Sequence, residues 1–438
     1  MTIRLAASFF ALTASLFLAS AANAVDDKDI IIRKNGTKIS GYVETETTLG
    51  VSYRTIRLAS GTPGAKPNQL KPNELDTIIY YGMEGGPYAK GVSERDSGNY
   101  EAAAEFFNQA ALAGSREWEK VYGSINEGKC WELAKKYKEA AKAYAVVVDG
   151  FAGDPNAKPP LPAHRSWLDV KYFLGMAYAQ AKDANAVKVA DELEAFGRKD
   201  GISAAESRAN AIRAAIAVGE NNANKFNEFM KKATVRSFDE PEVWFHFKLY
   251  CAESYRMSFK KSKEAASIYR EILSGLRNDP ARQAQISLGL GLTLIENDKQ
   301  AALVELIKLD VMPYGSPDQK CEARYNAGRL LWDEAQVIKN NAEAMKDERK
   351  AQFVKDTERA ARLVVGAAAD GPPNNSNVEL AKALLTTFGP DPDLRKEEPK
   401  KVEPKKEDPK KEPAKTEPPK PADPKKSDPK KQPDPKKK

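Results

Sequence analysis

Between Gly91 and about Pro155 the apolar positions of the chain are written twice. Gly91, Gly98, Tyr100, Ala103, Phe107 and Ala110 are followed 37 residues on by Gly128, Lys135, Tyr137, Ala140, Tyr144 and Val147; only Lys135, standing where Gly98 stood, differs in kind. In each copy a small residue is followed nine residues later by an aromatic, and that aromatic by Ala at +3 and an aromatic at +7. The Ala and the second aromatic fall on one helix face, four apart, while the first Gly lets a preceding helix approach closely. The spacing predicts two helices per unit, stacked in series.

Weaker copies follow: Trp167, Leu174, Gly175, Tyr178, Ala186 and Ala190, then an Ala-rich helical stretch over 203–233 turning at Asn221–Asn224. After Pro241 come Trp244, Ala252, Tyr255, Ala265, Tyr269 and Ile272, and then Leu288, Gly289, Leu292 and Ala301, with a second helix ending near Leu309. Ala327, Gly328, Leu331 and Trp332 mark the last first helix. A long charged helix-prone segment, Asp333–Val365, and a capping helix, Asn377–Phe388, complete the array. About seven hairpins are expected over residues 86–389. A Pro-rich insertion, Asp154–Pro162, is expected to be a surface loop.

Ahead of the helices the period is two. Ile30–Arg33 leads through Lys34-Asn35-Gly36 into Ile39, Gly41 and Val43, which alternate against Lys38, Ser40, Tyr42 and Glu44, a hairpin pattern. Val51, Tyr53 and Thr55 continue on a third strand, Ala59–Pro72 reads as a Gly/Pro-rich loop, and Leu75–Tyr81 as a fourth strand. Residues 26–82 are therefore expected to form a small β-barrel-like (SH3-like) module or curled meander, docked on the first helices because so small a core is marginal alone.

The helical pattern resembles the tetratricopeptide repeat. That family's small residue, first-helix aromatic, Ala-x3-aromatic and closing Pro are matched by Gly128, Trp131, Ala140, Tyr144 and, loosely, Pro155; Leu174-Gly175-x-x-Tyr178 matches its first-helix signature. The repeats are degenerate and span roughly two thirds of the chain. The resemblance implies a mostly α fold, a tetratricopeptide-like α-solenoid of stacked helical hairpins, in which first helices line a concave groove and second helices face out. It implies Tyr88, Arg95, Lys129, Glu132, Tyr172, Arg256, Tyr325 and Arg329 as groove residues, beside Val92, Ile125, Met176, Ala179, Leu249, Glu253 and Trp332. Aromatics mixed with Lys and Arg suit an extended or helical peptide of some negative charge, and the plain alternative is an ordinary helix surface.

The two ends differ from this body. Residues 1–24 carry one Arg, an apolar run Leu5–Leu18 and a closing Ala22-Asn23-Ala24, the order of a cleavable secretory signal peptide, so export to the periplasm or beyond is expected. No later run reaches the roughly 18 to 20 apolar residues of a membrane span. Residues 390–438 are built of Lys, Pro and acids, with little to bury, and read as a disordered arm biased to polyproline II. Its 17 basic and 12 acidic residues from Asp391 to Lys438 account for +5 of the net charge of +7. The body is then near neutral, which argues against a nucleic-acid-binding face.

No catalytic set emerges. His164 lies in the Pro-rich loop with no acid or thiol near it in sequence, and His246 between two Phe on a helix. Cys130, Cys251 and Cys321 match no metal spacing and are either small buried hydrophobes or one disulfide and one free thiol. No cofactor or metal is expected. The expected function is a non-catalytic exported scaffold or adaptor for a protein or peptide partner. The rival is an envelope-attachment protein whose tail and β module hold an anionic wall polymer or membrane surface.

Overall fold

The computed structural model describes residues 27–56, 66–154, 156–157, 162–237, 240–276, 279–313 and 315–389; the expected leader and the Lys/Pro-rich tail lie outside these described residues. Five strands open the fold: β1 (Asp29–Arg33), β2 (Lys38–Thr47), β3 (Gly50–Arg54), β4 (Asn68–Leu70) and β5 (Leu75–Ile79). They form one antiparallel sheet in the order β4-β3-β2-β1-β5. The Asn35-Gly36 turn forms as expected, with Gly36 at φ +81, a left-handed conformation that glycine adopts without steric cost. Strand β2 is long enough to pair with β1 through Lys38–Gly41 and with β3 through Tyr42–Thr47, and the register shifts between Val43 and Thr45. The sheet has five strands where four were expected. Asn68–Leu70 was hidden in a stretch that reads as loop, because three residues flanked by Pro67 and Pro72 carry no legible alternation.

Ile31, Val51, Leu70, Leu75, Ile78 and Tyr80 form the core of this module, and Trp118, from the third helix, completes it. Tyr88 and Tyr122 pack on the same cluster. The sheet thus borrows apolar surface from the helices, as its small size requires.

Sixteen α-helices follow among the described residues. They begin with the pairs α1 (Gly86–Asp96) and α2 (Tyr100–Ala113), α3 (Glu117–Leu133) and α4 (Tyr137–Gly150), α5 (Trp167–Gln180) and α6 (Asn185–Asp200), and α7 (Ser203–Gly219) and α8 (Ala223–Lys232). Next come α9 (Pro241–Glu253), prolonged by a π-helical turn over Ser254–Ser258, with α10 (Ser262–Gly275), then α11 (Pro280–Leu294) with α12 (Lys299–Val311). The charged segment expected as one unit is broken. Helix α13 (Pro317–Lys339) ends at a turn, a short α14 (Ala342–Met345) follows, and α15 (Glu348–Ala369) returns along α13, with α16 (Ser376–Thr387) packed on both.

Consecutive helices pack on one another from α1 to α8 and again from α9 to α13. One continuous core runs from Val121 of α3 to Leu330 of α13. The glycines explain the close packing, with a correction of direction. A Cβ on Gly91 would lie 2.9 Å from the Phe107 ring, and one on Gly128 would collide with Tyr144, so in these units the close neighbour is the following helix of the same hairpin. Gly289 does face a preceding helix, against Tyr269.

Five first helices, α1, α3, α5, α7 and α9 with its π-helical turn, stop in the same way. Gly98, Lys135, Lys182, Asn221 and Lys260 all have positive φ, between 54 and 86. The next residue's N–H reaches back into the last turn, as in Asn99 to Glu94, Lys136 to Trp131, Asp183 to Tyr178, Asn222 to Ala217 and Lys261 to Tyr255. This is a left-handed C-cap, at which a side chain other than Gly or Asn costs roughly 1 to 2 kcal/mol. Lys135 therefore takes the same cap conformation as Gly98, but at that steric cost.

Candidate binding surface

The expected groove residues divide into three groups. Lys129, Glu132 and Tyr172 come together, although they belong to two hairpins. Tyr172 is fully buried, and its hydroxyl lies 3.0 Å from His246 Nδ1. Glu132, with a side chain 11% exposed, accepts from the Tyr144 hydroxyl at 3.0 Å and lies 3.5 Å from His246 Nε2. Burial pushes the Tyr172 and Tyr144 phenols well above their ordinary range, so both remain protonated donors. Lys129 pairs with Glu242 at 3.0 Å and sits 5.7 Å from the Phe173 ring. Arg282 also pairs with Glu242, at 2.5 Å. Burial alone would raise the Glu242 pKa, but the Lys129 and Arg282 cations outweigh it and hold the carboxyl at about 2.

These contacts join α3 to α9, 113 residues apart for Lys129 and Glu242. Two expected groove residues are therefore committed to the protein itself: Tyr172 is a core residue and Glu132 a partly buried acceptor. Arg256 behaves similarly, since it is ion-paired with Glu253, which in turn accepts from the Tyr269 hydroxyl. Met176, Ala179 and Ile125, expected beside them, are buried.

The second group stays accessible. Among the described residues Arg95 pairs with the adjacent Asp96 at 2.9 Å, and its side chain is 36% exposed. Tyr325 and Arg329 are half-buried on α13, with the guanidinium 5.9 Å from the ring centroid. The third group is Tyr88 alone. It packs edge-on against Phe107 and Trp118 at 5.2 and 5.5 Å, and its hydroxyl accepts from Asn126 at 2.9 Å. It joins the sheet to the helices.

A polar junction escaped the sequence reading. Asp29 is fully buried and accepts from the backbone N–H of Val43 at 2.8 Å and of Tyr81 at 3.0 Å, and from Arg116 at 2.5 Å. Glu46, 2% exposed, accepts from Tyr80 and Tyr122 and pairs with Arg165. Burial raises the Glu46 pKa against the opposing pull of Arg165. His164, 3% exposed, lies beside them; burial first and Arg165 second push its pKa down to about 4. Thr47 bridges His164, and Thr48 N–H donates to Ala163 at 2.9 Å, so the far end of the Pro-rich insertion is stitched onto β2. Trp118 Nε1 and His164 Nε2 have no hydrogen-bond partner among the described residues, and both residues line a cavity of about 20 Å³. That is room for about one water. The clue in the sequence was weak: Asp29 and Glu46 sit on strands where burial is expected, but their partners lie far along the chain.

The three cysteines are buried free thiols, which selects the hydrophobe reading over the disulfide. Burial pushes Cys130 up to about 12 and also raises Cys251 and Cys321, leaving little thiolate to react. Among the described residues no group of His, Cys, Asp or Glu is placed to hold a metal ion, and no helix is long and apolar enough to cross a membrane. Neither a scan against protein-family models nor a search of curated proteins finds a match for this chain.

Proposed function

We propose that the protein is an exported, non-catalytic scaffold whose hairpins stack as an α-solenoid of the tetratricopeptide kind and hold a protein or peptide partner. The observation that carries this reading is the recurrence of one hairpin: a first helix ended by a left-handed cap at Gly98, Lys135, Lys182, Asn221 and Lys260, each followed by a second helix packed back on it. Repeats of this kind present extended surfaces made of many equivalent helix faces. The partner surface in this reading is the accessible part of the first-helix face, Arg95, Lys129, Tyr325 and Arg329, while Tyr172 and Glu132 hold that face in shape.

The test is capture from an envelope extract by the mature chain and by Arg95→Ala/Arg329→Ala, two changes on the accessible face. A defined partner retained by the first and lost by the second, with melting unchanged, supports the scaffold. Retention that needs only residues 390–438 and disappears with salt overturns it in favour of attachment to an anionic envelope polymer.

A further inference from the structure

Two hairpin turns carry the same seven-residue run, Lys-Lys-x-Lys-Glu-Ala-Ala, at 135–141 and at 260–266. In both, the first Lys occupies the left-handed cap, at φ 60 for Lys135 and φ 54 for Lys260. Gly98 shows which residue that backbone prefers, so two lysines are kept at a conformational cost. Lys135, Lys138, Lys260 and Lys263 are exposed and make no ion pair among the described residues. Lys136 is committed to Glu101 at 2.6 Å and to the Trp131 ring.

The fold points the two turns in the same direction. Helices α3 and α9 run side by side in the same direction, because Lys129 meets Glu242 and Glu132 meets His246. Tyr137 lies within the field of Glu253, and Glu322 within that of both Lys135 and Arg256. With Glu132 level with His246, Lys135 is level with Leu249, and Lys260 lies eleven residues beyond, on the order of 16 Å along the axis and, with about 10 Å between neighbouring helices, roughly 19 Å away in all. An extended chain covers that distance in about five to six residues.

We propose that these turns form a paired site for an extended acidic peptide whose carboxylates cluster about five to six residues apart. The proposal goes beyond the scaffold reading, since the site lies at the hairpin turns and not on the first-helix face. Ammonium groups on flexible stems suit carboxylates spaced along a pliable chain, whereas bidentate phosphate recognition favours the Arg fork, which neither turn has. Glu139 and Glu264, on the same turns, work against a dense polyanion more than against a peptide with separated acids. The other nearby acids are engaged: Glu253 with Arg256 and Tyr269, Glu132 with Tyr144 and His246. Glu322 is a partly buried carboxyl of raised pKa facing Lys135 and Arg256.

The probe is a labelled peptide of about twelve residues with two Glu pairs about five to six residues apart, titrated by fluorescence anisotropy against the full chain at ~50 and ~300 mM salt. Lys135→Gly/Lys260→Gly is expected to weaken binding roughly tenfold without lowering the melting temperature, because glycine accepts the left-handed cap. Lys182→Gly, which relieves the same conformation at a turn followed by Asp183, should bind as the wild type does. The first-helix variant Arg95→Ala/Arg329→Ala should also keep the peptide, which separates failure here from failure of the scaffold reading. Unchanged affinity in the double Gly variant overturns the site. So does equal or tighter binding of inorganic polyphosphate, or wild-type affinity no better than millimolar.

Discussion

Gly91 and Gly128 each stand 16 residues before the aromatic that fills the space a side chain would need, Phe107 and Tyr144. This pairing was legible as a small residue and an aromatic at fixed spacing, but its direction was not. Spacing alone does not say which of two neighbouring helices comes close. On the second helix of this hairpin Glu139 is half-buried, whereas Lys138 is exposed. Replacing Gly128 by Ala pushes a methyl into the fully buried Tyr144 ring, whose hydroxyl is held by Glu132, so the ring has little freedom to yield. Overpacking of this kind costs about 1 to 3 kcal/mol. Denaturant unfolding should show that loss for Gly128→Ala and almost none for Lys138→Ala. Equal losses at the two sites would mean that the hairpin packing described for α3 and α4 is wrong.

At the scale of elements, the strands with alternation and the helices with a full amphipathic period were readable, whereas the three-residue β4 and the break between α13 and α15 were not. The Pro-rich insertion shows why. Its composition announces a surface loop, yet Ala163, His164 and Arg165 are drawn back onto β2 by Thr48, Thr47 and Glu46, more than a hundred residues away. No local pattern encodes a partner at that distance. His164 Nδ1 accepts from the Ser166 N–H at 3.1 Å, so protonation must break that bond as well as place a cation beside Arg165. The unfolded chain takes up this proton near pH 6.5, the folded one near 4, so the folded state loses stability as pH falls through that window. The loss amounts to roughly 3 kcal/mol by pH 4. Glu46 acts with the opposite sign: its raised pKa lets the folded state bind a proton first, which favours folding on acidification above pH 4.5. Comparison with His164→Asn, whose amide oxygen can still accept from Ser166, isolates the histidine. Its stability should fall less than the wild type's between pH 7 and 4, and parallel curves would show that His164 does not titrate as described.

For the whole molecule, the sequence reading supplied an array of hairpins and an expected face, but not the fact that hairpins far apart meet. Lys129 with Glu242, Glu132 with His246, and Gly98 beside Ser316 connect the first two hairpins to α9 and to the start of α13. A hairpin pattern specifies contacts between neighbours; which distant helices meet depends on small angles summed over many interfaces, which residue spacing does not reveal. Glu242 is the centre of this contact because two cations from different hairpins share it. A double-mutant cycle with Lys129→Ala and Glu242→Gln should therefore give a coupling of about 0.5 to 1 kcal/mol near neutral pH, modest because both side chains are partly solvated. The Glu242 carboxyl is depressed to about 2, so its contribution is present above pH 4.5 and disappears as pH falls toward 2. The coupling should vanish over the same interval, and it should shrink with salt at neutral pH. Adding Arg282→Ala to Lys129→Ala should cost more than the sum of the single changes, since the first cation lost leaves the second to hold the carboxylate and the second leaves it bare. Strict additivity of all three substitutions, measured by unfolding in urea, would mean that α3 and α9 do not hold each other through Glu242.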